Sequence, residues 1–155
     1  RKVRLITIRL YVSIWIWTDV WNNFLQRRKN EQETSAVLDD VTVCTKVKNE
    51  SAYPLHESVE VYVKYKNAQP GEPDFQLKGI ACVELQAGEE KEVSVTLHAR
   101  DFAVITEDGG CVVRPGEYEI SIGGQQPGAR SRALTGRETE ILTVRKEGNE
   151  ENVEY

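Results

Sequence analysis

The chain has 155 residues, of which 39 % are apolar and 29 % charged, and a net charge of −5. This is the make-up of a globular protein with one domain and some extra length, and no run of 18 or more uncharged apolar residues offers a membrane span. The charge is split: residues 1–29 hold seven Lys and Arg against Asp19 alone, so residues 30–155 carry −11, and phosphate repels so acidic a body, which argues against nucleic acid as a partner.

Residues 1–37 differ from the rest of the chain. Ile6, Ile8, Leu10, Val12, Ile14 and Ile16 alternate with Thr7, Arg9, Tyr11, Ser13 and Trp15, a period of two in residues that favour strands. A secretory signal would share the basic start, but Arg9 interrupts its apolar run and no small-residue cleavage site precedes Asp19. A Trp- and Arg-rich segment lying on a membrane surface is another option, and Trp15, Trp17 and Trp21 are rings of the kind that stack on sugars. The preferred reading is a segment outside the domain's own fold, either a remnant of an upstream region or an added edge strand. Gln26 to Asp40 is polar and reads as a linker with a short helical turn.

From Val41 the alternation becomes regular. Val41 to Lys48 is a strand, and Asn49 to Ala52 is a turn. Ser58 to Lys66 puts Val59, Val61, Val63 and Tyr65 on one face and Glu60, Tyr62 and Lys64 on the other. The loop from Ala68 to Asp74 carries Pro70 and Pro73, which cannot donate to a strand ladder. Gln76 to Leu85 is a strand and Gln86 to Glu89 a turn. Lys91 to Leu97 turns Val93, Val95 and Leu97 inward. A short strand over Ala103–Thr106 and another over Cys111–Val113 flank Asp108-Gly109-Gly110. Glu117 to Ile122 buries Tyr118, Ile120 and Ile122. Gly123 to Ala129 is a loop, and Glu138 to Val144 is the last strand. Residues 147–155 read as an acidic, disordered tail.

About seven short strands with turns every 8–12 residues predict an all-β, immunoglobulin-like antiparallel sandwich over residues 38–146. No helical period of useful length appears in this body. Cys44, Cys82 and Cys111 are odd in number and lack metal or redox spacing. Three buried strand thiols in a reducing compartment are expected, hence a cytoplasmic location, with one disulfide and a spare thiol as the alternative.

Hydrolysis by a pair of acids needs two carboxylates facing each other across a cleft. Glu57, Glu60, Glu89, Glu90, Glu107 and Asp108 are instead expected on solvated faces and turns. His56 and His98 lie far apart, Ser121 and Thr143 sit on strands, and Asp39-Asp40 is too short for a calcium loop. The glycines of Asp108-Gly109-Gly110 and Gly123-Gly124 lack the strand-to-helix setting of a phosphate loop. No catalytic, cofactor-binding or metal residue is assigned, and no cofactor is expected. Tyr65, Asn67 and Phe75 lie around the proline loop. Pro115 fixes φ, Gly116 takes the strained turn position, and Tyr118 comes next at the start of a strand, where sandwiches bury a ring and tie its hydroxyl to the backbone.

Four phrases carry a family likeness, in order and over about 100 residues: Val47-Lys48-Asn49 followed by Val59-Glu60-Val61-Tyr62-Val63; Phe75-Gln76-Leu77-Lys78-Gly79-Ile80; Leu85-Gln86-Ala87-Gly88-Glu89-Glu90-Lys91-Glu92-Val93; and Pro115-Gly116-Glu117-Tyr118-Glu119-Ile120-Ser121-Ile122-Gly123. Together they resemble the fibronectin type III-like domain at the C-terminal end of family 3 glycoside hydrolases, the β-glucosidases and β-xylosidases. The resemblance implies a non-catalytic accessory module whose partners are the catalytic domains of such an enzyme, with Tyr65, Asn67 and Phe75 as the candidates for docking or sugar contact, and a fragment or shortened gene product rather than an enzyme in itself. A carbohydrate-binding module that meets oligosaccharide alone and a cell-surface adhesion sandwich are the rival readings, since one sandwich serves many roles.

Overall fold

The structure, a computed structural model, describes residues 3–12, 34–35 and 40–154. Its strands are β1 (Val3–Val12), β2 (Thr34–Ser35), β3 (Asp40–Asn49), β4 (Leu55–Tyr65), β5 (Gln76–Leu85), β6 (Glu90–His98), β7 (Val104–Ile105), β8 (Cys111–Val113), β9 (Gly116–Gly123), β10 (Glu140–Lys146) and β11 (Glu151–Asn152). They form a three-stranded sheet, β1-β3-β6, and a five-stranded sheet, β2-β10-β9-β4-β5, with a small ladder, β11-β8-β7, at one end. Every pairing is antiparallel except that of β2 with β10. The chain crosses between sheets from β3 to β4 and from β5 to β6, so both main sheets draw on distant parts of the sequence. The result is the all-β sandwich that the alternation predicts.

Alternation decides which side of each strand is buried. Val41, Val43 and Val47 of β3 share one core with Val59, Val61 and Val63 of β4 and with Tyr118, Ile120 and Ile122 of β9. Each side chain so enclosed contributes about 1.5–3 kcal/mol of hydrophobic stabilisation for the larger residues. Val93 and Leu97 of β6 are buried, whereas Val95 is half-buried because β6 is an edge strand. A register shift between Val61 and Tyr62 marks a bulge at Lys78, which has no partner residue on β4; it moves Leu77 to the outer face beside Tyr62 and returns Gln76 to the inner one beside Val63.

The period-two run of the N-terminal segment is strand over Val3–Val12, where it lies along β3 from Val3↔Asn49 to Val12↔Val41. Trp15, Trp17, Trp21 and most of the expected linker lie outside the described residues.

Four expectations change. The stretch after Gly128, in a body expected to hold no helix, forms one, α1 (Ala129–Thr135); it buries no residue and stops at Gly136, whose φ of 68° is left-handed. Its seven residues are too short to show an amphipathic period, so only that glycine stop was visible beforehand. The acidic tail is not disordered through residue 154: β11 pairs with β8, and the Val153 amide donates to Cys111 O at 3.0 Å. Lys146, 4 % exposed, anchors it by donating to Glu151 Oε1 at 2.8 Å and Asn149 O at 3.0 Å. Glu57 is buried rather than solvated, because it shares strand parity with Val59 and Val61 on the inner side of β4. Cys82, expected to be buried, is exposed on edge strand β5, while Cys44 is buried and Cys111 half-buried, all as free thiols.

Candidate functional site

Of the residues singled out around the proline loop, Tyr65 and Asn67 meet Pro115, Gly116 and Tyr118 at one corner of the sandwich. Tyr118 is fully buried at the start of β9. Its hydroxyl donates to Arg114 O at 2.7 Å and accepts from the Arg114 amide at 3.1 Å. That is the hydrogen-bond pattern of a tyrosine corner. Burial, with Tyr65 close by, pushes the phenol above its ordinary pKa, so it remains a neutral donor.

Tyr65, at the end of β4, stacks on Tyr118 with ring centroids 4.9 Å apart, and its hydroxyl donates to Pro115 O at 2.9 Å. Phe102 meets the Tyr118 ring edge-on at 5.5 Å. Gly116 has φ 135°, and a Cβ there would lie 3.1 Å from Tyr65 Cε2 and 3.3 Å from Asn67 Nδ2. The glycine is therefore required both by its backbone conformation and by the close approach of Tyr65 and Asn67.

One ion pair ties the proline loop to this corner. Arg114 Nη1 donates to Glu72 Oε1 at 2.7 Å, and the other oxygen of Glu72 accepts from the Gln69 amide at 2.8 Å. The Gln69 amide and the guanidinium hold the Glu72 carboxyl below the usual carboxylate range. Phe75 stands apart from the corner. Lys64 Nζ sits 5.3 Å from its ring centre and pairs with Asp74, a cation–π contact at the rim of the five-stranded sheet. Of the three loop candidates, Tyr65 thus joins the core, Asn67 lies exposed against Gly116, and Phe75 is half-buried under a lysine.

The concavity beside Tyr65, Glu72 and Phe102 holds about 10 Å³, room for one water molecule and far too little for a sugar ring. The candidate acids are spread among local partners. Glu60 accepts from Tyr62, Glu89 from the Gln86 amide, and Asp108 from Thr106, while Glu90 pairs with Lys46. Glu57 lies beside Gly124, where a Cβ would come within 2.9 Å of Glu57 Oε1. His98 pairs with Asp40 on the surface, and His56 is exposed on the outer side of β4. Ser121 is fully buried and Thr143 half-buried, each on the outer side of its strand. The Asp108-Gly109-Gly110 stretch is a turn closed by Thr106 and Gly110.

Sequence reasoning missed Asn49. It is fully buried at the end of β3, and its Nδ2 donates to Tyr53 O, Leu85 O and Gln86 O at 2.7, 3.2 and 3.0 Å. Its Oδ1 accepts from the Ser51 amide and hydroxyl, and its own amide donates to Glu89 O. One side chain fastens the β3–β4 turn to the β5–β6 turn, across the two sheets. The available signal was its place as the asparagine of the Val47-Lys48-Asn49 phrase.

Comparison with known proteins agrees with this architecture. The family model for the fibronectin type III-like domain matches residues 57–126. An exo-α-(1→6)-L-arabinopyranosidase of Bifidobacterium breve is 39 % identical over 109 residues, which are 70 % of this chain and 13 % of that enzyme. Beta-glucosidase B of Emericella nidulans is 34 % identical over 95 residues, 61 % of this chain and 11 % of its own. Among solved structures, the β-glucosidase of Listeria innocua superposes with a TM-score of 0.60 at 25 % identity, over 72 % of this chain and 14 % of that one. The GH3 β-glucosidase of Bifidobacterium adolescentis has the same fold, with a TM-score of 0.63 at 22 % identity over 92 % of this chain and 17 % of its own. The chain thus spans between a tenth and a fifth of the enzymes it matches. The central strands of this sandwich, residues 57–126, match the fibronectin type III-like domain model, and the chain around them resembles a small part of the arabinopyranosidase and of beta-glucosidase B.

Proposed function

We propose that this chain serves as the non-catalytic accessory domain of a family 3 glycoside hydrolase, as a fragment or shortened product of such an enzyme. The observation that carries this reading is the extent of the likeness: it covers most of this chain and only 11–13 % of the arabinopyranosidase and of beta-glucosidase B. The corner supports it too. Tyr118, Tyr65, Gly116 and Arg114 are all engaged in holding the fold and its loop, and none of their polar groups converges on a space a sugar could fill. The role is mechanical: a rigid sandwich, with a loop clamped by Glu72 and Arg114, offers a fixed surface to a larger body.

The test is turnover. The purified chain is expected to leave aryl β-glucosides, β-xylosides and α-L-arabinopyranosides unhydrolysed at enzyme concentrations stoichiometric with substrate. Steady release of the aryl group that co-purifies with the chain through successive columns would overturn the reading.

A further inference from the structure

The two outer faces of the sandwich are unlike. On the three-stranded sheet, β3 and β6 present Thr42, Lys46 and Lys48 beside Thr96, Glu92 and Glu90, an ordinary wet face. On the five-stranded sheet, the register sets Leu77, Tyr62, Ser121 and Ile141 side by side across β5, β4, β9 and β10. Leu77 is 45 % exposed and Ile141 51 % exposed, and Ile80, in the next row beside Glu60, is 57 % exposed. Ser121 between Tyr62 and Ile141 is wholly covered, its Oγ buried without a hydrogen-bond partner, so the exposed surface of the row is that of Leu77, Tyr62 and Ile141. Four strands at about 4.8 Å spacing make it roughly 14 Å wide. Soluble monomers scatter their exposed apolar residues; a clustered band rimmed by charge marks a contact surface.

We infer that this band, built on Tyr62, Leu77, Ile80 and Ile141, is the surface on which the catalytic part of a family 3 glycoside hydrolase rests. The inference depends on the function proposed above and adds to it the face that makes the contact. The matched enzymes say what is large enough to cover it: 83–86 % of each of the two solved β-glucosidases lies outside the part this chain covers. The chemistry of the seat is also specified. Tyr62 donates to Glu60 Oε2 at 2.7 Å, which leaves the second carboxylate oxygen of Glu60 beside Ile80 to accept from the partner. Lys64 closes one end of the band, held by Asp74. The complementary surface is therefore apolar, with a cationic or amide donor set opposite Glu60.

The test uses the full chain and the Bifidobacterium adolescentis β-glucosidase prepared without its own matching domain. Association is measured by calorimetric titration. Binding by the wild-type chain is expected, with Leu77→Lys and Ile80→Lys each weakening it by about tenfold or more. Thr96→Lys and Glu92→Lys, on the opposite face, are expected to bind as wild type. Unchanged melting temperatures for all four variants will tie these effects to the surface rather than to folding. If Thr96→Lys and Glu92→Lys abolish binding and the band variants do not, the face is wrong while the accessory reading stands. If the wild-type chain leaves a folded, active enzyme unbound, or covers the band by pairing with itself, both fall. Should the shortened enzyme not fold alone, the same variants are read in the full-length enzyme with its domain exchanged for this chain. The temperature at which activity is lost then falls for the band variants only; an equal temperature for all overturns the inference.

Discussion

The hydroxyl of Tyr118 bonds the backbone of Arg114 twice, giving its proton to the carbonyl oxygen and taking that of the amide. Three residues lie between them, and Pro115 and Gly116 turn the chain. The side chain thereby closes a loop that the backbone alone cannot, since Pro115 has no N–H to offer. Tyr118→Phe keeps the ring in the core and removes only the oxygen. The expected loss is about 1–2 kcal/mol, because two partly buried backbone groups lose their partner. Urea unfolding of wild type and variant measures it, and equal midpoints would show that the corner does not stabilise the fold.

Asn49 is the costlier polar residue. Its amide nitrogen serves three carbonyls, of which that of Leu85 is buried, and its oxygen serves Ser51. Asn49→Ala removes all of these bonds in one step; the Tyr53 and Gln86 carbonyls keep the Ser51 hydroxyl and the Glu89 amide as donors, so a loss of about 2–3 kcal/mol is expected. Asn49→Asp is expected to be worse than Asn49→Ala, since a carboxylate would face the carbonyl oxygens of Tyr53, Leu85 and Gln86. Both are read from thermal unfolding. A melting temperature for Asn49→Asp equal to that of wild type would remove Asn49 from its role as the fastener between turns.

The body of the fold was legible because period-two alternation and Gly/Pro turns are local signals. Val59, Val61 and Val63 announce an inner face, and Pro115-Gly116 before Tyr118 announces a corner. What stayed hidden depends on contacts between distant segments. Asn49 sits in a sequence that reads only as a turn, and its worth appears when Leu85 and Gln86 arrive from another strand. Glu57 reads as a surface acid until β4 shows which parity is buried. The tail reads as frayed because Glu150 and Glu151 are charged, yet Arg114 and Lys146 stand opposite them. The outer band could not be seen either: Leu77, Tyr62 and Ile141 come together only through register, and a bulge places Leu77.

Acid should loosen the proline loop before it unfolds the core. The Glu72 carboxyl lies below its ordinary pKa of 4.5, so folding favours its ionised form. Its contribution is complete above that value and is lost as the pH falls through the folded pKa. Stability is therefore expected to decline below about pH 4.5, and Glu72→Gln should lower stability at neutral pH while flattening part of that decline. Glu89, Asp108 and Glu117 are shifted the same way, so some slope remains in the variant. Chemical denaturation between pH 7 and pH 3 supplies the comparison; identical slopes for Glu72→Gln and wild type would mean that the clamp with Arg114 carries no linkage.

Gly79 tests how tightly the edge of the sandwich is closed. β5 and β6 are edge strands of different sheets, and Gly79 lies where they approach: a Cβ at that position would stand 2.5 Å from Val95 Cγ1. Valine is branched at Cβ and has little rotamer freedom with which to yield. Gly79→Ala is accordingly expected to cost about 1–3 kcal/mol through overpacking. Val95→Ala removes the obstructing methyl groups from a half-buried site and should cost about 1 kcal/mol. In the double variant the new methyl occupies space that Val95 vacated, so its loss should be smaller than the sum of the two single losses. Gly88→Ala is the contrasting case: nothing lies within 4 Å of the new Cβ and only the positive φ of 75° opposes it. Its effect should therefore be the same with valine or alanine at position 95. A Gly79–Val95 cycle that is strictly additive would mean that the two edges do not touch, and that Gly79 is there for some reason other than the closure of the sheets.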